Sequence, residues 1–314
     1  MIFIAELCQN HNGDFEILKD MIYAAKESGA DYVKIQNIFA DMLSHRKKFD
    51  NGLEENGVTK VIKRPYDLEY ARLKKLELSY DQQAQFIEIC EKAGVKPLTT
   101  VFTRDSVNKI KELGFKNIKI ASYDCASYPL LRDIKCEFDR IFISTGATYD
   151  HEVEKMVSIM SGVNYSLLHC VTVYPTPLNL FNLARLNYLR KFSKLVGWSD
   201  HSSIQENSIF GTLVAIYYGA DIIERHFTIL PNDQTKDGPV SINPKQLKDL
   251  VEKSKLDNKE LLEYLKKHNI DYEKCYGTSN RDLSDIELLN RDYFRGRFVS
   301  KLDSKEIYNW ESFK

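Results

Sequence analysis

The stretch PLTTVFTRDSVNKIKELGFKNIKIASYDCASYPLLRDIKCEFDRIFIS, residues 97–144, decides the fold. Its short apolar runs, Pro97–Phe102, Ile118–Ser122 and Ile141–Ser144, alternate with segments of helical spacing at Ser106–Leu113 and Tyr128–Lys135. Working outward, the alternation runs back through a helix near Tyr80–Ala93, a strand Tyr32–Gln36 and a helix over about Asp14–Glu27, where Leu18, Met21, Ile22 and Ala25 recur on one face, to a strand Phe3–Leu7. It runs forward through Glu152–Met160, Ser166–Cys170, a short helix near Leu183, Leu195–Ser199, Ile204–Tyr218, Ile222–Phe227 and a helix beginning near Pro244. Strands starting near 3, 32, 97, 118, 141, 166, 195 and 222, each followed by a helical segment, predict an α/β fold of the (β/α)8 TIM-barrel type. A doubly wound open sheet is the competitor, but it would carry a Gly-rich phosphate turn after an early strand, and Asn10-His11-Asn12-Gly13 is not one. The turn Gly-Ala-Asp recurs before two strands, at Gly29-Ala30-Asp31 and Gly219-Ala220-Asp221.

The 314 residues carry 44 Lys and Arg against 45 Asp and Glu, a net charge of -1 without long blocks of one sign. That balance argues against wholesale nucleic-acid or membrane-surface binding. Hydrophobic residues at 43% and charged residues at 28% fit a globular chain with a sizeable core. The best apolar run, Gly211–Ile223, is broken by Asp221 and is too short to span a bilayer. The start, with Glu6 in its apolar stretch and no basic region, is unlike a signal peptide. Cysteines 8, 90, 125, 136, 170 and 275 show no metal-knuckle spacing, which predicts reduced thiols in a cytoplasmic protein.

Residues 37–79 are too long for an ordinary βα connection and leave the barrel at its C-terminal face, which makes them a candidate lid or recognition loop. The barrel is expected over 1–266. The extension 267–314, with Tyr272, Tyr276, Tyr293, Phe294, Phe298, Tyr308 and Trp310 irregularly spaced, is too short for a second core and should pack on the barrel or on a partner copy in a homodimer.

Barrel topology sends the last residues of all strands to one mouth. Glu6, Lys34, Gln36, Thr99, Thr100, Arg104, Lys119, Ser122, Asp124, Ser144, His169, Cys170, Thr172, Tyr174, Ser199, His201, Glu224 and His226 all fall there. Lys34 and Lys119 in otherwise apolar strands need anionic partners. Structural carboxylates such as Glu6 would serve one lysine; two lysines beside several hydroxyls suit a bound phosphate or carboxylate better. His201 and His226 end neighbouring strands and could ligate one divalent ion or act as a general acid/base pair. A Schiff base on Lys34 or Lys119 is the rival chemistry. His11, His45, His151 and His268 read as loop or helix-surface residues.

Ile4-Ala5-Glu6-Leu7, Gln9-Asn10-His11-Asn12-Gly13, Val33-Lys34-Ile35-Gln36, Lys119-Ile120-Ala121-Ser122, Tyr128-Pro129-Leu130, Ser144-Thr145-Gly146, Leu168-His169-Cys170, Tyr174-Pro175-Thr176-Pro177, Ser199-Asp200-His201 and Glu224-Arg225-His226-Phe227 resemble, in order, the motifs of the sialic acid synthase family. That family makes N-acetylneuraminic, pseudaminic and legionaminic acids. The resemblance implies a metal-dependent condensation of phosphoenolpyruvate with an open-chain aldose such as N-acetylmannosamine, giving a 2-keto-3-deoxy acid and phosphate for surface glycans. It implies phosphoenolpyruvate on Lys34, Thr100, Lys119, Ser122, Ser144, Thr172 and Ser199, and a divalent ion, manganese or else magnesium or cobalt, on His201 and His226. Gln36, Asp124, Tyr174 and Asp237 would face the sugar. Glu6, Lys34, Lys119, Asp124 and Glu224 would be the catalytic set, with Glu6 orienting the water that adds at C2.

Three departures from the family pattern stand out. Ser122-Tyr123-Asp124 replaces a Ser-Gly-Glu pattern, and Gly238-Pro239-Val240 replaces Gly-Pro-Asp, with Asp237 adjacent. The family usually adds an antifreeze-like domain that delivers an arginine to a partner's site; here Arg295–Lys301 resembles the linker to it and the sequence ends at Lys314. Lys63, Arg64 and Arg72 are the candidates to replace that arginine. The alternatives kept open are a non-catalytic relative that binds a sugar acid or a partner, and a Schiff-base aldolase.

Overall fold

The computed structural model describes residues 1–280, 282–303 and 305–309; Trp310 and the Tyr308 side chain of the expected aromatic tail lie outside that description. Among the described residues eight parallel strands close into a barrel: β1 (Ile2–Glu6), β2 (Tyr32–Gln36), β3 (Lys96–Val101), β4 (Asn117–Ile120), β5 (Arg140–Ser144), β6 (Tyr165–Cys170), β7 (Val196–Asp200) and β8 (Ile222–His226). β1 pairs with both β2 and β8, which completes the ring.

Side chains alternate across each strand, so one set of positions faces the barrel axis and the other the helices. Ile4, Tyr32, Leu98, Phe142, Leu168 and Ile222 form a closed apolar layer inside the barrel. Val33, Ile35, Ile118, Ile120, Ile141, Ile143, Trp198 and Ile223 belong to the larger core under the helices. Two residues beyond the inner layer on the same strands stand Glu6, Lys34, Thr100, Ser144, Cys170 and Glu224, all buried. The apolar layer is thus the floor and the polar set lies above it.

Local sequence explains the surrounding helices. In the helix Phe15–Glu27 the Asp14 carboxylate accepts from Glu16 N at 2.8 Å, and Leu18, Met21, Ile22 and Ala25 are buried. The helix Tyr80–Ala93 opens with a Ser79/Gln82 capping box. The repeated Gly-Ala-Asp turns do the same work twice: Asp31 Oδ2 accepts from Phe3 N at 2.8 Å, and Asp221 Oδ2 accepts from Val196 N at 3.0 Å. Each carboxylate caps the free amide at the start of a neighbouring strand.

The long segment after β2 contains a hairpin, Leu53–Glu55 with Val58–Val61, and a helix, Tyr66–Leu76. The extension folds over the same face through the helix Asp285–Phe294 and a hairpin, Val299–Leu302 with Lys305–Tyr308. It is clamped by charge. Arg291 and Arg295 both reach the Glu152 carboxylate, at 2.7–2.8 Å and 2.7–3.2 Å, and Arg297 reaches Glu69 at 2.6 Å. The described part of the extension packs on its own barrel. No helix among the described residues is long and apolar enough to cross a membrane.

Candidate active site

Above the floor lies a cavity of about 590 Å³. Its deepest polar contacts centre on Glu224. Glu224 Oε1 accepts from Ser199 Oγ at 2.8 Å and stands 3.4 Å from Lys119 Nζ, while Oε2 stands 3.7 Å from Lys34 Nζ. Lys34 also pairs with Glu6 and donates to Thr100 Oγ1 at 3.1 Å; Lys119 donates to Ser144 Oγ at 2.6 Å. Burial works against the charges on Glu224, Lys34 and Lys119, and the balance with pairing differs among them. Against its burial, Lys119 and Lys34 hold the Glu224 carboxyl down at about 2. Burial likewise opposes the charge on Lys34, but Glu224 and Glu6 raise its pKa; for Lys119 burial prevails over Glu224 and lowers it.

Two lysines and two carboxylates leave this layer balanced. The cationic surplus lies higher up: the cavity walls hold six Lys and Arg against four carboxylates, the added cations being Arg64, Arg72, Lys236 and Arg297. Arg72 and Arg297 share Glu69 at 2.8 and 2.6 Å. Of the three residues expected to bring positive charge from the long segment, Arg64 and Arg72 line the cavity, and Lys63 is not among the lining residues. Arg297, read in sequence as part of a linker, is a wall residue instead.

On the other side of the mouth the His201 and His226 rings are 5.4 Å apart. Tyr174 stacks on His201 at 4.0 Å, and its hydroxyl is 2.8 Å from His201 Nε2. Burial, reinforced by His226, lowers the His201 pKa to about 3, so this imidazole is neutral at ordinary pH. His226 Nδ1 is buried without a hydrogen-bond partner among the described residues, 3.7 Å from Asp237 Oδ2.

Gln36, Ser122, Thr172, Tyr174 and Asp237 line the cavity together with Glu6, Lys34, Thr100, Lys119, Ser144, Ser199, His201, Glu224 and His226. Ser122 reaches it because Gly146 is bare: a Cβ there would stand 2.8 Å from Ser122 Oγ. Asp124 departs from the expectation. It lies in the 3-10 turn Ser122–Asp124, in which Ser122 and Tyr123 line the cavity while Asp124 borders an adjoining small pocket beside Phe294 and Phe298 that shares Tyr123 as a wall. There burial pushes its carboxyl up to about 7.

Thr99 is one residue out of phase with Thr100 and is not a wall residue. Arg104 is turned to Asp133, with Nε 2.5 Å from Oδ2, and His169 Nε2 is 2.7 Å from the Phe181 carbonyl. His11, expected on a surface, is buried, and its Nδ1 accepts from Gly13 N at 3.0 Å. Sequence reasoning passed over Cys8, Gln9, Glu69, Lys236, Asn290 and Phe294, all wall residues, and marked Tyr123, also a wall residue, only as a departure from the family pattern. Tyr123 stacks on Phe294 at 4.7 Å, and Asn290 Nδ2 donates to the Thr172 carbonyl at 2.8 Å, so the extension helix forms part of the wall.

The NeuB family profile matches residues 21–267. The chain belongs to the NeuB family. This NeuB-family chain is 33% identical to the N,N'-diacetyllegionaminic acid synthase of Campylobacter jejuni over 97% of its own length and 86% of that protein's. It is 26% identical to a Campylobacter jejuni pseudaminic acid synthase over 100% and 86% of the two chains. The crystal structure of N-acetylneuraminic acid synthetase from Leptospira borgpetersenii superposes with a TM-score of 0.69 at 26% identity, covering 93% of this chain and 90% of that one. The barrel is therefore shared with that solved N-acetylneuraminic acid synthetase.

Proposed function

We propose that this NeuB-family chain is a cytoplasmic synthase that joins phosphoenolpyruvate to an N-acetylated aldose, forming a nonulosonic-type 2-keto-3-deoxy acid and phosphate for surface-glycan biosynthesis. One observation carries the reading: two buried lysines with hydroxyl partners, Lys34 with Thr100 and Lys119 with Ser144, lie under a cationic cavity whose other wall is a histidine pair. The names of its relatives, legionaminic, pseudaminic and N-acetylneuraminic acid synthases, support the same class of product.

In this reading Lys34 and Lys119 meet the carboxylate and phosphate of phosphoenolpyruvate, and Thr100, Ser122, Ser144, Thr172 and Ser199 supply hydroxyl donors. Glu6 and Glu224 hold the lysines in place before the substrate arrives. C3 of the enol attacks the aldehyde carbon, water adds at C2, and phosphate leaves with the C2–O bond. Glu6, whose Oε1 is fixed by the Cys8 amide at 2.7 Å, orients that water. Gln36, Tyr174 and the rim cations face the sugar.

The unpartnered Nδ1 of His226 and the neutral imidazole of His201 fit a divalent ion, manganese, magnesium or cobalt. His201 would offer Nε2 once the Tyr174 hydroxyl withdraws from it. When bound, the ion supplies Lewis-acid polarisation of the aldehyde oxygen.

The test is phosphate release from phosphoenolpyruvate with manganese and a panel of N-acetylated aldoses. At least one sugar should support turnover, with loss of at least about 100-fold in Lys119→Met. No release with any sugar overturns the reading. One feature favours a second chemistry: burial lowers the Lys119 pKa, as a Schiff-base lysine requires. Borohydride trapping of a carbonyl substrate on Lys119 would establish that alternative; the synthase reading expects none.

A further inference from the structure

Immediately beyond β1 the chain places a cysteine where the backbone favours glycine: Cys8 has φ 48°. Its side chain is buried, and no step of the condensation uses it. Sγ of Cys8, a nitrogen of His226 and a carboxylate oxygen of Asp237 all lie within 4.8 Å of one another. The three come from the β1 turn, the end of β8 and the turn that follows it.

A second observation points to a ligand at the same place. His226 is 7% exposed, and its Nδ1 has no hydrogen-bond partner among the described residues. Asp237 Oδ2, at 3.7 Å, is too far to be one. Two ligands each about 2.1 Å from a common ion stand about 3.4 Å apart at a tetrahedral angle, so this spacing is near that of ligands sharing an ion. The supports are rigid. The Cys8 amide donates to Glu6 Oε1 at 2.7 Å, and Ser241 Oγ donates to the Asp237 carbonyl at 2.7 Å. The next residue, Gly238, packs so closely that a Cβ would fall 1.8 Å from the Asn232 carbonyl oxygen.

We propose that Cys8, His226 and Asp237 form a mixed thiolate, imidazole and carboxylate site, and that Cys8 biases it toward a borderline ion of the zinc or cobalt class and away from manganese. Thiolate is the ligand that distinguishes these ions, since oxygen and imidazole donors serve all of them. On binding, the Cys8 thiol gives its proton to solvent and the sulfur becomes a metal ligand. The inference rests on the proposed metal dependence and deepens it by assigning two further ligands and a metal preference. His201, the other proposed ligand, joins this set once the Tyr174 hydroxyl withdraws from its Nε2.

The test titrates the metal-stripped full chain with cobalt under anaerobic conditions and reads the near-ultraviolet thiolate-to-cobalt charge-transfer absorption. The expected result is a band that saturates at one equivalent and is absent in Cys8→Ser. Cys8→Gly should lose it too, and there the φ of 48° suits the replacement, so loss of the band does not reflect a strained backbone. Zinc affinity, measured by chelator competition, should fall at least about 10-fold in Cys8→Ser and in Asp237→Asn, and manganese affinity less than zinc affinity in Cys8→Ser. Cobalt binding without the band in the unaltered chain, or Cys8→Ser with unchanged band and zinc affinity, overturns the proposal. If in that case His201→Ala abolishes cobalt binding, the ion sits on the histidine pair and the metal-dependent synthase reading stands without Cys8. Phosphate release that persists in excess chelator overturns the metal dependence itself.

Discussion

Replacing Glu224 with glutamine removes one charge from the centre of the buried layer and keeps its shape. Two lysine ammonium groups then share Glu6 alone, because Glu224 stands 3.4 Å from Lys119 and 3.7 Å from Lys34. Moving a carboxyl from its ordinary 4.5 to about 2 corresponds to ~3 kcal/mol of stability for the folded chain. Breaking a buried pair by deleting one partner costs about 3–5 kcal/mol in general, so the two routes agree. The sign follows from a depressed carboxyl: its contribution is complete above about pH 5 and is lost as pH falls from 4.5 toward about 2. Urea unfolding of wild type and Glu224→Gln should therefore differ by about 3 kcal/mol at pH 7 and by roughly 1–2 kcal/mol at pH 3. A difference below about 1 kcal/mol at pH 7, or one that does not narrow with acid, would refute the view that Glu224 is the anionic anchor of both lysines.

Two further perturbations probe the wall and the pocket behind it. Glu152→Gln takes away the carboxylate shared by Arg291 and Arg295, which those arginines hold near 2 against its burial. Hydrogen exchange in the helix Asp285–Phe294 should rise at least about 10-fold while β5 and β6 stay protected; an unchanged helix would show that the clamp does not hold the extension. Asp124→Asn should retain turnover, since Asp124 borders the pocket behind Tyr123 and not the cavity. Burial raises its carboxyl from 3.8 to about 7, so the folded chain holds a proton that the unfolded chain releases, and stability falls as pH rises through that interval. The asparagine variant should be more stable than wild type at pH 8 by up to ~4 kcal/mol and lose that advantage near pH 4, measured by urea titration.

How far the site could be read from sequence depended on how far each residue lies from a strand. Within strands the alternation of two does the work: because Ile4, Tyr32, Leu98, Phe142 and Ile222 close the floor, Glu6, Lys34, Thr100, Ser144 and Glu224 must rise above it on the same face. The same rule excludes Thr99 and His169, which a reading of strand ends without phase brings into the mouth; the His169 ring instead packs on Trp198 at 5.0 Å. Past the last strand residue the rule stops. Asp124 sits in a 3-10 turn and rotates away, whereas Cys8, with φ 48°, joins His226 and Asp237 at the mouth. Contacts that depend on two distant segments leave no local pattern: Arg297 and Glu69 are 228 residues apart, and only the folded extension shows that a stretch resembling a linker is part of the wall. The upper wall of the cavity is built mainly from such segments, and the floor entirely from strands. The placement of the polar layer just above the floor and of the His201 and His226 pair was therefore legible in the strands, and the upper wall contributed by loops and the extension was not.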